Sequence, residues 1–254
     1  MSGQSEDFGS RSEARREPLR PVEAHREREK AEIVRLWEEG RKNYGLELQV
    51  SEELDRAYQR PGQYVTLRLP GMKARFFVIA TRPGERRWEF LIDREGGFGQ
   101  ALADLRVGDR VEVSQPEGRG FEVQEAVGRV ALLFCTGSGV ATIRGLVEAW
   151  LERGEEGRPK EMVLYYGEEE AGVGTYEELF EQWKRRGVRI HRAVERGGEE
   201  PSVTIGHVQN AFEAHRAPLE DAVIYLSGAL VMIEAVSALM ERAGVEPGRV
   251  KTNI

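Results

Sequence analysis

The apolar run Leu132-Leu133-Phe134-Cys135 stops at Thr136-Gly137-Ser138-Gly139. Apolar residues then recur at helical spacing: Ile143, Leu146, Val147, Trp150 and Leu151. This is the pattern of a strand, a tight glycine turn and a helix. Such a turn sets bare backbone N–H groups and a helix N-terminus at the carboxyl edge of a sheet, where a phosphate or a ribose binds. A plain strand-to-helix turn has the same short signature, so the surrounding elements must decide between the two.

Other reactive residue types carry less. Cys135 ends an apolar strand with no His near it in sequence, which reads as core rather than nucleophile. The four His residues, His25, His191, His207 and His215, show no metal-ligand spacing, and no metal site is expected. Glu177-Glu178 opens a helical stretch, where carboxylates favour the helix dipole.

Composition bounds the class. The chain has 254 residues, enough for two modest domains, with 40% hydrophobic and 32% charged residues. The formal net charge of −7 argues against a nucleic-acid partner. A single Cys excludes an internal disulfide framework and an all-Cys metal centre. No apolar run approaches the ~18 residues of a membrane span, and the N-terminus lacks the apolar core of a signal peptide. A cytoplasmic protein is expected, with neither a nucleic-acid nor a membrane partner.

The elements that must position the glycine turn fall into two grammars. Residues 1–30 carry 14 charged residues and few apolar ones, and are expected to be disordered. From residue 31 to 127 short alternating runs are separated by Pro61-Gly62, Pro70-Gly71, Pro83-Gly84 and Val107-Gly108-Asp109, the mark of an antiparallel β-barrel. One short helix, at Phe98–Leu105, is opened by Gly96-Gly97. From residue 128 to 254 apolar runs at Val130–Cys135, Met162–Tyr166, Arg189–Val194 and Ala222–Ser227 alternate with helical patterns. Strand–helix alternation predicts a Rossmann-like parallel α/β sheet.

A barrel followed by a parallel α/β unit, with these motifs in this order, resembles the ferredoxin–NADP reductase superfamily over roughly residues 30–254. Pro61-Gly62-Gln63-Tyr64-Val65 resembles the entry to the flavin barrel's central strand. Arg75-Phe76-Phe77-Val78 stands where that family has Arg-x-Tyr-Ser. Gly96-Gly97-Phe98-Gly99-Gln100 is similar to the glycine-rich helix start beneath the flavin pyrophosphate. Pro116-x-Gly118-x-Gly120-Phe121 resembles the barrel's closing segment. Thr136-Gly137-Ser138-Gly139, Tyr165-Tyr166-Gly167, Gly206-His207-Val208-Gln209 and Ser227-Gly228 with Met232 are similar to the nicotinamide domain's strand ends. The branch it most resembles is the plant fruit-protein type, which also ends in Lys-x-Asn, here Lys251-Thr252-Asn253.

The resemblance implies an FAD-binding barrel at 31–127 and an NAD(P)-binding domain at 128–254. Its function is that of a flavoprotein oxidoreductase, moving a hydride between NADH or NADPH and FAD and passing electrons to an acceptor. A small redox protein is one candidate acceptor. Arg75 would hold a flavin phosphate through its planar fork, Phe77 would lie against the flavin ring, and Ser227 and Gly228 would sit beside the nicotinamide. Val78 departs from the family's Ser and removes a hydroxyl donor near the flavin. Glu169 replaces an Arg of many relatives within Gly167-Glu168-Glu169-Glu170, which implies NADH over NADPH. Three solvated carboxylates, with Arg144 or Lys184-Arg185-Arg186 receiving a phosphate, are the competing reading. An electron-transfer subunit of a larger complex and a redox-inactive binding module of the same fold remain as alternatives. Arg82, Arg86 and Arg87 are a candidate basic docking patch.

Overall fold

The computed structural model describes residues 28–197 and 203–253. Of the disorder expected for residues 1–30, residues 1–27 lie outside the described residues, and residues 28–30 correct it: they are strand, paired with residues 112–114. The first strand, β1 (Arg28–Glu39), begins at Arg28 and pairs with both β2 (Asn43–Gln49) and β6 (Arg110–Ser114). With β3 (Tyr64–Arg68), β4 (Arg75–Val78) and β5 (Arg87–Asp93) they make an antiparallel six-stranded sheet in the order β4-β3-β6-β1-β2-β5. Its two edges approach just beyond β4, where the Ala80 N–H donates to the Glu89 carbonyl at 2.8 Å. Inward residues such as Ile33, Leu48, Val65, Trp88 and Val113 fill the interior.

Two helices accompany the barrel. Helix α2 (Gly97–Leu102) lies where the glycine pair predicts it. Helix α1 (Glu52–Ala57) does not register in the sequence pattern, because its single buried residue, Leu54, leaves no periodicity to read. Its signal is local: the Ser51 hydroxyl accepts from the Leu54 N–H at 3.1 Å, and Glu52, Glu53 and Asp55 favour the helix N-terminus.

The second half is a parallel sheet. It comprises β7 (Val130–Thr136), β8 (Glu161–Glu170), β9 (Val188–Arg196), β10 (Val203–Ile205), β11 (Ala222–Ser227) and β12 (Val250–Thr252), in the order β10-β9-β8-β7-β11-β12. Helices α3 (Val140–Glu152), α4 (Glu177–Arg185), α5 (Val208–Ala214) and α6 (Leu230–Arg242) cover it. The period of two along β7 divides the core. Ala131, Leu133 and Cys135 pack in the cluster that holds α3 and α4, while Val130, Leu132 and Phe134 pack with α5 and α6. Cys135 is fully buried, and burial pushes its thiol up, as a core residue. Chain order reverses about β7, which has β8 on one side and β11 on the other. A crevice opens at the carboxyl end of such a strand.

Across β7, β8 and β9 three rings lie in register, and His215 at the end of α5 adds a fourth to the row. Phe134 lies 4.7 Å from Tyr165, Tyr165 lies 5.4 Å from His191, and His191 lies 4.3 Å from His215. Burial, with His215 and Arg189 beside it, pushes His191 from 6.5 down to about 4. The unfolded chain therefore takes up this proton first. Its contribution is whole above pH 6.5 and is lost as pH falls toward 4. With His191 half exposed, screening leaves that loss on the order of 1 kcal/mol. Thermal unfolding of wild type and His191→Gln across that range is expected to show a shallower acid decline for the variant. Parallel declines would contradict it.

Candidate functional site

The turn after β7 is built by close backbone approach. A Cβ on Gly139 would stand 2.5 Å from the Ser227 carbonyl oxygen and 2.7 Å from the Gly228 Cα. Gly228, at φ +133°, in turn packs against Thr136, whose Oγ1 accepts from the Ala229 N–H at 3.1 Å. The ends of β7 and β11 therefore meet with no side chain between them, and only glycine fits both places. Gly137, at φ +51°, has open space where its Cβ would be. Ser227 is buried, in register with Cys135.

A cleft of about 540 Å3 opens at this turn. Thr136, Gly137 and Ser138 form one wall, and Gly167, Glu168 and Glu169 at the end of β8 another. Gly206, His207, Val208 and Gln209 enter from the start of α5, and Ala229, Val231 and Met232 from the start of α6. Gln209, which lines this cleft, has its Oε1 buried and without a hydrogen-bond partner among the described residues. A smaller cleft of about 260 Å3 shares Gly137, Ser138, Glu168 and Glu169, and is closed from the barrel by Lys42, Asn43, Asp93 and Glu95. The glycine turn thus faces the β5–α2 connection that carries Gly96 and Gly97.

The acidic run resolves into three environments. The Glu168 side chain is 2% exposed and bonded to Arg192, which also reaches Glu177 at 2.6 Å. Burial raises its carboxyl, and Arg192 opposes the rise. Glu169 is exposed at the cleft mouth, paired with Lys42 at 3.1 Å and with Arg196. The Lys42 hydrogen bond holds Glu169 below its usual range. Glu170 faces Lys42 at 3.5 Å and Arg41 at 3.6 Å. The expectation of three solvated carboxylates fails for Glu168. Arg144 is no phosphate receptor either, since it is buried against Glu89 and Glu148.

The barrel's candidate residues form a second group. Phe77, half-buried, packs on Phe98 of α2 with ring centroids 4.7 Å apart. Phe76 is 53% exposed, its ring edge-on to Tyr64 at 5.5 Å. Arg75 is exposed and bonds to no other described residue. Gly96 precedes α2, a Cβ on Gly97 would meet nothing within 4 Å, and Gly99 packs against the Asp93 carbonyl. The Gln100 amide donates to the Glu95 carbonyl at 3.1 Å. Val78, half-buried, offers no hydrogen bond.

Sequence reasoning did not include Glu168, Glu195, His207, Gln209 or Val231 among the site residues. Gly206-His207-Val208-Gln209 carried a usable signal as a motif. The burial of Glu168 carried none, because its partner Arg192 comes from the next strand. In the basic docking patch Arg82 pairs with Glu85 at 2.9 Å and Arg87 faces Glu47 at 3.9 Å, while Arg86 is exposed. Among the described residues no helix is long and apolar enough to cross a membrane.

Residues 133–238 match the oxidoreductase NAD-binding domain family. The fruit protein pKIWI502 of Actinidia deliciosa is 29% identical over 182 residues, covering 66% of this chain and 56% of that protein. The ferredoxin–NAD(P)(+) reductase component of the naphthalene 1,2-dioxygenase/salicylate 5-hydroxylase systems of a Ralstonia species is 27% identical over 200 residues, covering 75% and 58%. The chain thus spans little more than half the length of these relatives. Among solved structures, the flavohem-like FAD/NAD-binding domain of nitric oxide dioxygenase from Vibrio cholerae superposes with a TM-score of 0.76 at 19% identity, covering 90% of this chain and 98% of that one. A barrel followed by a parallel sheet, a matched nucleotide-binding family over residues 133–238 and these relatives agree: the chain has the two-domain fold of the ferredoxin–NADP reductase-like proteins, and its second half matches the oxidoreductase NAD-binding domain family.

Proposed function

We propose that this chain is an FAD-dependent NAD(P)H oxidoreductase, with residues 31–127 as the flavin domain and 128–254 as the nicotinamide-nucleotide domain. The observation that carries the reading is the glycine turn at the end of β7, open to a nucleotide-sized cleft and sharing a smaller one with Asp93 and Glu95 of the β5–α2 connection across the domain boundary.

The residues present fit both groups. Toward FAD, the barrel offers the exposed guanidinium of Arg75, an exposed ring at Phe76 and the open backbone of Gly97. Phe77 and Phe98 brace that surface, and Gly96, Gly99 and Gln100 shape the turn beside it. Toward the nucleotide, Gly137, Ser138 and Gly139 offer backbone N–H groups to a pyrophosphate, with Gln209 lining the cleft beside them. Ser227 and Gly228 bound the end where the nicotinamide would lie. Bound FAD supplies hydride acceptance and onward electron release; the chain supplies binding, orientation and exclusion of water.

The Ralstonia relative's name describes a ferredoxin reductase, and a small redox protein is the partner we favour as acceptor. Its docking would not rest on Arg82 and Arg87, whose charges are matched by carboxylates. Val78 removes one hydroxyl donor, which favours slow turnover or service as an electron-transfer subunit.

Glu169 at the cleft mouth is the residue we assign to nucleotide choice. A carboxylate there opposes a 2′-phosphate and accepts from a plain ribose, and Lys42 and Arg196 beside it moderate the effect. The expected preference is about tenfold for NADH in kcat/KM, and Glu169→Arg is expected to reverse it. Flavin reduction compared with NADH and NADPH, in wild type and variant, tests both points. No reduction by either nucleotide would overturn the functional reading. Equal use of both by wild type, or a variant without change, would overturn only the role of Glu169.

A further inference from the structure

The two halves also meet along a seam that runs from the smaller cleft to helix α3, and the seam is built as tightly as the glycine turn. Helix α3 begins at that turn, and five residues on, about 7.5 Å along its axis, Gly145 lies on the barrel. A Cβ there would stand 2.9 Å from the Thr81 carbonyl oxygen and 3.4 Å from that of Ala80. Ala80 and Thr81 continue the chain directly from β4, the strand of Arg75–Val78. Both are pinned: the Ala80 N–H donates to the Glu89 carbonyl at 2.8 Å, and the Tyr58 hydroxyl donates to the Thr81 carbonyl at 2.6 Å.

Arg144 fastens the same spot through its side chain. It pairs with Glu89 of β5, reaches Glu148 at 3.2 Å, and lies 5.1 Å from the centre of the Tyr176 ring. Tyr176 itself holds a left-handed backbone, φ 56°, unique to it among the described non-glycine residues. Its N–H donates to Glu39 Oε1, at the end of β1, at 2.8 Å. Next to it the Asn43 amide donates to Thr175 Oγ1 at 3.1 Å, buried. Four barrel elements are thereby tied to α3 and the start of α4. A strained backbone and a buried ion pair are costly features that persist where the surroundings over-determine them.

We infer that Arg144 and Gly145 are positioning residues: they set the separation between the glycine turn that starts α3 and the strand Arg75–Val78, and so the approach of nicotinamide to flavin. The inference rests on the functional reading above. A closely packed seam suits hydride transfer, where a misplacement of about 1 Å costs on the order of 100-fold in rate.

Gly145→Ala tests this with one methyl group. Alanine favours the helix by about 1 kcal/mol over glycine, offsetting part of the crowding at Thr81, so the fold is expected to hold. Two quantities are read on the FAD-loaded full chain. One is the limiting rate of flavin reduction at saturating NADH, with the NADH dissociation constant. The other, independent of turnover, is the distance between spin labels on Glu53→Cys and Glu241→Cys, one on each half. The expected result is a rate lowered about tenfold or more, a dissociation constant within about twofold of wild type, and a shifted or broadened label distance. Arg144→Lys, which keeps the charge but loses the fork to Glu89 and Glu148, is expected to do the same and serves if the alanine variant does not fold. An unchanged rate overturns the inference whether or not the label distance moves. An equal loss in binding and rate overturns it too, in favour of general damage. Wild type that NADH does not reduce overturns the functional reading itself, a result distinct from both.

Discussion

Gly139→Val is expected to abolish nucleotide-dependent flavin reduction while leaving the barrel and its flavin in place. The valine Cβ would need to occupy space 2.5 Å from the Ser227 carbonyl oxygen and 2.7 Å from the Gly228 Cα. Both neighbours are backbone, so no side chain can rotate away. The turn must lift from the end of β11, which carries its N–H groups away from the cleft they line. A displacement of about 1 Å lowers a positioned reaction on the order of 100-fold. Overpacking adds about 1–3 kcal/mol of destabilisation, which a domain with this much buried core can absorb. Stopped-flow reduction with NADH, alongside the flavin absorbance of the purified variant, checks the expectation. Gly137→Ala is the contrast: its Cβ meets nothing within 4 Å, and only the φ of +51° strains it, so a loss of a few-fold at most is expected. Equal losses in the two variants would contradict the steric account of the turn.

Glu89→Ala is expected to cause the largest loss of stability of any substitution at a charged residue of the domain seam. Burial raises the Glu89 carboxyl, and Arg144 opposes that rise by charge and hydrogen bond. Both side chains are nearly buried, at 10% and 15% exposure. Removing the carboxylate leaves a buried guanidinium with one carboxylate, Glu148, and the Tyr176 ring beside it. Breaking a buried pair from one side costs about 3–5 kcal/mol, roughly 10 °C in melting temperature for a chain of this size. Pairing the change with Arg144→Met, which removes the stranded charge, is expected to recover most of it. Melting curves of the two single variants and the double variant decide the point. A Glu89→Ala melting temperature within about 2 °C of wild type would show that the pair contributes little.

The parts of this structure written in local pattern were legible in the sequence. The turn at Thr136–Gly139 stands out because an apolar run of strand period meets a helical period at two glycines. The barrel strands stand out because Pro-Gly pairs interrupt alternating residues at short intervals. What escaped was short or non-local. Helix α1 buries one residue, and β10 and β12 are three residues each, too few to show a period. The fate of the acidic run was not readable from its own composition. Parallel register sets Tyr166 against Arg192, and it is this cross-strand neighbour that carries Glu168 into the interior. Lys42 reaches Glu169 from the far side of the chain, 127 residues away. Arg144 reads as a free cation on a helix face until the barrel closes over it with Glu89. Charges that look alike in sequence are thus sorted by the fold into a buried pair, a mouth residue and a seam.

The central claim is that the two halves bring a nicotinamide nucleotide and a flavin into one reaction. Anaerobic titration of the FAD-loaded protein with NADH, followed at the flavin's visible absorbance, measures that directly. The account predicts bleaching that is complete at about one NADH per flavin and reverses on admitting an electron acceptor. A flavin spectrum that stays unchanged while NADH is shown to bind, or a protein that takes up no FAD at all, would contradict it.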